Sequence, residues 1–515
     1  MSTNTAGWSD GYVTAQQYTA EYYSQLAPDH LNFCCALHGV EPAEPGERFN
    51  YFELGCGLGV SSTLLASVHP QARFFANDFM PAHVAAAQSI QRQSGIDNLT
   101  LLESSFAELA EGQVDLPPMD FITLHGVYTW VPPHARAQIV KFIARYLKPG
   151  GVVYLGYNAM PGWAASTPLQ RLLHDVAATT PGDITEKAAK ARELVMRLSE
   201  CGADYFVDKP DVSRRLAQIK QAGNGYLVHE YLHREWQPMY FSDVAGELSA
   251  AKLDFVGSSM LIRALHEFLP EQQTAIDAVA DPALKETVKD FLLGTGFRCD
   301  LFVRGRRSLS PGRRRALIGR YTAAPTMPLP NAMARIAPTF ASIPGGKERV
   351  DELLRAMMRQ PLSIDQIGSV MNCGDDQQLA LATLACLSQL GAVHLVDGAR
   401  PAPAGTTAQA LNRLTANTAL TEDACAALAS PMARSGLYLT LLERCVYSLI
   451  VSRKTQAADE LCAALKRALD ASPELLQRLS TEIGDLAPGQ LHAAVSDVID
   501  SSLPLWKRLK AIDLA

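Results

Sequence analysis

The stretch Glu53-Leu54-Gly55-Cys56-Gly57-Leu58-Gly59 ends a short apolar run, residues 49–54, that reads as a β-strand. Glycines in a loop after a first strand let backbone N–H groups come close to a ligand, and they place a helix N-terminus beside it. Residues 60–68 read as that helix. Three alternating glycines are by themselves a weak signal. The dinucleotide form G-x-G-x-x-G requires a glycine three places after the second, where this chain has Val60, and an acid immediately before the loop, Glu53, also departs from that form.

Downstream, the chain alternates strand and helix signals. Residues 72–77 form a second strand ending at Asp78, and Pro81 opens a helix over 82–94. Residues 99–102 and 121–124 are further strands, the latter ending at His125. Ile139, Val140, Ile143, Tyr146 and Leu147 recur at helical spacing until Lys148-Pro149-Gly150-Gly151 stops the helix, and residues 152–157 make a fifth strand. Short apolar strands alternating with helices predict an α/β fold, a Rossmann-like, doubly wound, mostly parallel sheet covered on both faces. Residues 166–221 look helical and interrupt the pattern, which resumes with a helix over 241–251, a strand over 253–256 and a possible partner strand over 299–303. The sheet is therefore expected to close near Arg304, with a helical insertion over its binding edge.

Arg304, Arg306, Arg307, Arg313, Arg314 and Arg315 make one basic run punctuated by Pro311 and Gly312, the composition of a solvated linker. Residues 322–346 are rich in Pro and Ala and read as a domain boundary. Beyond it, three helices (349–358, 364–371, 377–390) and a strand (392–396) suggest a winged-helix-like unit. Its third helix begins Asp375-Asp376-Gln377-Gln378-Leu379-Ala380-Leu381 without Lys or Arg, so a protein-contact role is expected rather than DNA reading. From 407 onward the chain is Ala- and Leu-rich and reads as a mainly α C-terminal half.

A chain of 515 residues exceeds what one hydrophobic core supports and suggests about three domains. The net charge of −7 disfavours nucleic acid or an anionic membrane as the bulk partner. The ten cysteines lack metal-ligand spacing and read as reduced thiols, and no metal is expected. With neither a secretory signal nor an apolar run of membrane-spanning length, the expected location is the cytoplasm.

The form E-x-G-x-G-x-G, coupled to Asp78 at the end of the second strand, resembles class I S-adenosylmethionine methyltransferases. That resemblance implies S-adenosyl-L-methionine as cofactor and S-adenosyl-L-homocysteine as product. It implies contacts from Glu53, Gly55, Cys56, Gly57, Gly59 and Phe79, with Asp78 gripping the ribose hydroxyls. Ser105 and Phe106 stand where the superfamily commonly reads adenine with an acid, and Tyr18, with Tyr22 and Tyr23, marks an aromatic N-terminal helix of the kind that closes over the cofactor. An NAD-type oxidoreductase and an inactive methyltransferase-like scaffold are the competing readings. The [DN]-P-P-[YFW] loop of amide and nucleobase methylation is absent after the fourth strand, which runs Leu124-His125-Gly126-Val127.

Two further strings, His125-Gly126-Val127-Tyr128-Thr129-Trp130-Val131-Pro132 and Gly156-Tyr157-Asn158-Ala159-Met160-Pro161-Gly162-Trp163, resemble bacterial methyltransferases that carry a methyltransferase regulatory domain, among them rickettsial lysine methyltransferases of outer-membrane proteins. The likeness continues through His229-Glu230-Tyr231-Leu232 and Arg298-Cys299-Asp300-Leu301-Phe302. It implies N-methylation of lysine in a protein or peptide substrate; an N- or O-methyltransferase of a modified peptide or natural product is the alternative. His125, Tyr128, Tyr157, His229 and Glu230 are candidate catalytic groups, with His125 and Tyr128 also candidates for touching the cofactor. Against this, Tyr128 and Trp130 could pack the loop, His125 could only cap its strand, and Trp163 and Trp236 read as core. The expected division is an N-terminal helical cap over the cofactor (1–48), a cofactor-binding core (49–160), a helical insertion (161–240), completion of the sheet with the basic linker (241–320), a winged-helix-like domain (321–400) and a helical C-terminal domain (401–515) through which a homodimer could form.

Overall fold

The computed structural model describes residues 20–43, 46, 48–233, 235–340, 346–373, 377–400, 402–418, 420, 427–484 and 487–513. At its centre lies β1 (Asn50–Leu54), whose Tyr51 enters one core while Phe52 and Leu54 enter another. A strand apolar on both faces belongs inside a parallel sheet. It pairs in parallel with β2 (Arg73–Asp78) and with β4 (Met119–His125); β2 pairs in parallel with β3 (Leu99–Glu103), and β4 with β5 (Leu147–Asn158).

With β6 (Leu253–Ser258) and β7 (Phe297–Arg304), the sheet has seven strands among the described residues, in the order β3-β2-β1-β4-β5-β7-β6. Its strand order reverses between β1 and β4, which opens a crevice beyond their carboxyl ends. The return expected near residue 304 is present: β7 (Phe297–Arg304) runs antiparallel to β5 and to β6 (Leu253–Ser258). The insertion is helical, with Thr167–Thr179, Ile184–Glu200, Pro210–Gln221 and Asn224–Tyr231 packed around Trp163, Leu173, Val195 and Ile219. It leaves and rejoins the sheet at one place, where Met239 N–H donates to Asn158 O at 3.0 Å and Met160 N–H to Met239 O at 3.0 Å.

Placing β7 inside the sheet buries Arg298 completely. Its Nη1 donates to both oxygens of Asp290 (2.9 and 2.8 Å), its Nε to Asp300 Oδ2 (2.6 Å) and its Nη2 to Glu286 Oε2 (3.2 Å), and the guanidinium lies 4.3 Å from the Phe241 ring centre. Arg263 completes the cluster, reaching Asp290 at 2.7 Å and Thr295 Oγ1 at 2.6 Å.

In three places the structure adds to or departs from the expected pattern. The Pro/Ala-rich stretch read as a domain boundary holds regular structure over its described residues: β8 (Tyr321–Pro325) pairs antiparallel with β10 (Val393–Asp397) and β9 (Leu362–Ser363), and a helix follows at Leu329–Phe340. The helices Gly346–Arg359, Ile364–Val370 and Gln377–Gln389 follow in the expected order, but the partner of β10 precedes them, which departs from a wing built after the third helix. Nor is the basic run a solvated linker. Arg304 donates to the carbonyls of Ala144 and Leu147, Arg306 to that of Phe255 and Arg314 to that of Leu37, so these guanidiniums staple neighbouring elements through their multiple donors.

At the N-terminus the described part of the expected cap is an extended segment at 20–23, a 3-10 turn at Ser24–Leu26 and a helix at Pro28–Leu37; Tyr18 lies outside the described residues. The C-terminal half is helical as expected, with one addition, the hairpin of β11 (Ala427–Ser430) and β12 (Ser435–Tyr438). That hairpin grips the N-terminal segment. Tyr22 Oη lies 2.5 Å from Ser435 Oγ, Tyr438 O–H donates to Tyr22 O at 2.6 Å, and a Cβ on Gly436 would stand 2.5 Å from the Tyr22 ring. Beneath it, buried Asp29 meets Arg400 at 3.3 Å and Arg434 at 3.7 Å.

Arg298→Met should cost about 3–5 kcal/mol in urea unfolding, because Asp290 and Asp300 would stay buried without their cation. A loss below about 1 kcal/mol would mean that this cluster does not hold β7 in place.

Candidate functional site

Gly55, Gly57 and Gly59 have φ of 65°, 54° and 66°, the left-handed region that side chains other than glycine disfavour. Each glycine is needed for its own reason. A Cβ on Gly55 would stand 2.7 Å from Val127 Cγ2, and one on Gly59 3.0 Å from Ala87 Cβ, so both are demanded by packing. A Cβ on Gly57 would meet no atom within 4 Å: it would project into open space at the loop's exposed turn. The end of β2 holds the loop in this shape. Cys56 N–H donates to Asn77 O (2.8 Å), and Gly57 N–H and Met80 N–H donate to the two Asp78 carboxylate oxygens, each at 2.9 Å.

Beyond β1 and β4 lies a cavity of about 210 Å³. Glu53, Gly55, Cys56, Gly57, Asp78 and Phe79 line one side of it, and Ser105, Phe106, Val127 and Trp130 line another. Gly59 stands behind the loop, outside the lining. The Ser105 hydroxyl is engaged as the cap of the helix Phe106–Glu111, in a reciprocal pair with Glu108. Glu53 accepts a hydrogen bond from Ser62 Oγ, and burial pushes its carboxyl up to about 7.

Two expected catalytic tyrosines lie elsewhere. Tyr128 is fully buried in the core under the helix Pro133–Tyr146 and donates to Glu247 Oε2 at 2.5 Å. Tyr157 is fully buried on the sheet face that carries Val153 and Leu155 and donates to Asp300 Oδ2 at 2.9 Å. Strand parity turns Tyr157 away from the cavity, and the turn at Tyr128–Trp130 sends Tyr128 inward while Trp130 faces the ligand side.

The other three expected groups converge. His125 and His229 line both this cavity and an adjoining chamber of about 480 Å³, and Glu230 lines the chamber alone. The His125 ring lies 4.0 Å from that of Tyr23, its Nδ1 is 2.8 Å from Tyr154 Oη, and burial pushes it down to about 4, which keeps it neutral at physiological pH. Glu230 is pushed up to about 7, chiefly by burial and further by Glu21, against the opposing charge of Arg215. Aromatic rings wall the rest: Tyr23, Trp130, Trp163, Tyr226 and Phe297, with Arg215 lying 3.8 Å over Trp163. The sequence reading did not single out Glu21, Arg215, Tyr226 or Phe297 for the site. They come from segments far apart in the chain, and no local motif marks them.

A neutral carboxyl is what the fold stabilises at Glu53, so the stabilisation is complete below pH 4.5 and is lost as pH rises through about 7. Glu53→Gln, neutral at every pH and still able to accept from Ser62, should match the wild type at pH 4.5. At pH 8 it should exceed the wild type by on the order of 3 kcal/mol in urea unfolding of the unliganded protein. Equal stabilities at pH 8 would show that Glu53 is not desolvated.

The family described as "Methyltransferase domain" matches residues 52–151, and the one described as "Predicted methyltransferase regulatory domain" matches 223–304. An uncharacterized protein of Synechocystis sp. is 33% identical over 441 residues, 85% of this chain and 87% of that one. An uncharacterized protein of Rickettsia prowazekii is 26% identical over 288 residues, covering 55% of this chain and 51% of its own. Among solved structures, PKMT2 from Rickettsia typhi in complex with AdoHcy superposes with a TM-score of 0.67 at 16% identity, over 97% of this chain and 100% of that one. The cavity suits such a ligand in its own right: Gly57 offers open space where a side chain would stand, and Asp78, which accepts from two amides and lies 3.3 Å from His83 Nδ1, keeps acceptor capacity for ribose hydroxyls. This chain belongs to the class I S-adenosylmethionine-dependent methyltransferases that carry a methyltransferase regulatory domain, with S-adenosyl-L-methionine as its methyl donor.

Proposed function

We propose that this enzyme N-methylates lysine side chains of a protein or peptide. The observation that carries the reading is the chamber beside the donor cavity, where Glu230, held near pH 7, and Glu21 face a wall of aromatic rings. Carboxylates and aromatic faces together favour an ammonium group, by charge and by cation–π attraction.

S-adenosylmethionine, when bound, supplies a methyl group on a positively charged sulfur. A lysine ordinarily titrates near 10.4 and must lose a proton before its nitrogen has a lone pair to offer. The burial that pushes Glu230 up would push a lysine ammonium down, which brings donor and acceptor of the proton closer in affinity. In this reading Glu230 takes the proton, while Tyr23 and Trp130, which line both spaces, orient the amine toward the donor cavity and keep water from it. Neutral His125 stands at the junction as a polar group that adds no positive charge beside two cations. Asp78 and the 55–58 backbone would hold the donor, so that alignment would supply most of the acceleration.

Incubation with radiolabelled S-adenosylmethionine and cell extract should label protein bands, on lysine by hydrolysis and amino-acid analysis; label confined to small molecules would sink the reading and favour a natural-product acceptor. Against a labelled acceptor, Glu230→Gln should lower kcat/KM by roughly 10²–10⁴-fold. The wild-type rise in log kcat/KM that ends near pH 7 should disappear with it, while Glu230→Asp restores part of the rate. An unchanged pH profile in Glu230→Gln would remove Glu230 from proton transfer.

A further inference from the structure

A third cavity, of about 440 Å³, meets the acceptor chamber at His125 and Phe297, which line both. It is built by three distant parts of the chain. Ser24, Gln25 and His30 come from the N-terminal segment, Ser259 and Cys299 from the inserted strand pair, and Arg335 with residues 388–391 from the C-terminal half.

Its charge differs from that of the chamber it joins, which is lined by Glu21 and Glu230 as well as Arg215, for its own lining contains no carboxylate among the described residues. Arg335 is the one side chain charged at neutral pH among the described residues lining it, since burial keeps His30 and His125 uncharged and Cys299 protonated. Arg335 is exposed, forms no ion pair among the described residues, and spends one N–H on a long contact of 3.4 Å to Leu390 O. Four of its five donors stay available. Ser259, 1% exposed, has its backbone committed, N–H to Cys299 O and carbonyl to His30, yet its Oγ has no hydrogen-bond partner. A buried hydroxyl left without a partner costs stability unless a ligand supplies one.

We propose that this cavity binds a carboxylate of the acceptor polypeptide, an acidic side chain flanking the lysine that enters the adjoining chamber. The proposal rests on the lysine reading above. A guanidinium fork with free donors matches a carboxylate in geometry as well as charge, and Ser259, which lines the same cavity, keeps an uncommitted hydroxyl. Continuity at His125 and Phe297 lets one extended chain present its amine to Glu230 and its acid to Arg335. The C-terminal half thereby acquires a role in selecting substrate: Arg335 and residues 388–391 are its contribution to the acceptor site.

The test uses the full-length enzyme and two fluorescent lysine-peptide pools, identical except that the residues flanking lysine are Glu in one and Gln in the other. Wild-type enzyme should bind the Glu pool ~10-fold more tightly by fluorescence polarisation, as a charge-assisted pair would give. Arg335→Ala should bring the two pools level and Arg335→Glu should reverse the order, with S-adenosylhomocysteine affinity unchanged in both as proof of folding. Ser259→Ala should weaken the Glu pool alone. Equal binding of both pools by the wild type, or a preference that survives Arg335→Ala, overturns the proposal. So does millimolar glutarate that binds in an Arg335-dependent way while the pools remain level, since the site would then serve a free acid. Polarisation is independent of turnover. Acid-selective binding without methyl transfer to either pool would fail the lysine reading and leave the carboxylate site standing; transfer to both pools without selectivity would do the reverse.

Discussion

A guanidinium with no exposure to solvent, Arg298, sets where one wall of the chamber beside the glycine-loop cavity stands. Its three carboxylate partners lie on β7 itself and on the helix Pro282–Leu293, so the strand and the helix cannot shift without uncovering charge. Arg263 ties the same cluster to Thr295, the residue that opens the turn into Gly296 and Phe297. That turn is packed backbone to backbone against Gly162, where a Cβ would come within 2.5 Å of Gly296. Phe297 is thus placed by electrostatics acting several residues away, and Phe297 with His125 is the wall that two chambers share.

Burial then does the chemical tuning. Low polarity raises the proton affinity of acids and lowers that of bases, and the site uses both directions at once. Glu53 and Glu230 are each pushed up to about 7 while His125 is pushed down to about 4. The outcome is a pair of adjoining spaces in which Glu53, Glu230 and His125 carry less charge than such groups ordinarily would, beside Asp78, Glu21 and Arg215 in the same lining. A cation beside Glu53 or Glu230 lowers that carboxyl again, so binding and ionisation reinforce one another.

How much of this was legible in the chain depends on the range over which a residue's neighbours are determined. The 53–59 loop, Asp78 and the strand ends were readable because glycine conformation, alternation and a carboxylate at a strand terminus are local signals. The antiparallel return was readable because 299–303 is an apolar run of the right length placed after a helix-strand unit. Tyr157 was misjudged by neglecting parity: Val153 and Leu155 share its face, and that face is core. Tyr321–Pro325 carries little strand signal since Ala and Pro are poor strand formers, and only its pairing with β10, some seventy residues on, makes it a strand. Ala427–Ser430 gives little strand signal for a related reason: it is short and mostly of small residues, and only its pairing with Ser435–Tyr438 makes it a strand. Arg215, Tyr226 and Glu21 carry no local mark at all; they meet only once the insertion has folded over the sheet.

The grip of the β11–β12 hairpin on Tyr22 bears on how the chain could be divided. Tyr23, the next residue, forms part of the wall of both the donor and the acceptor spaces, and its own amide is anchored to Ser61 on the helix that follows the glycine loop. The extended segment at 20–23 has no secondary structure of its own to hold it there; its register comes from a hairpin more than four hundred residues later. A fragment ended after β7 would contain every residue of the glycine motif and the whole seven-stranded sheet, yet would lack the clamp that fixes one wall of its active site. The sheet and the C-terminal half also share one hydrophobic core, in which Tyr51 and Phe121 lie with Tyr321, Leu353 and Ala429, so grafting the methyltransferase domain onto another protein would require carrying that half and its distant hairpin with it.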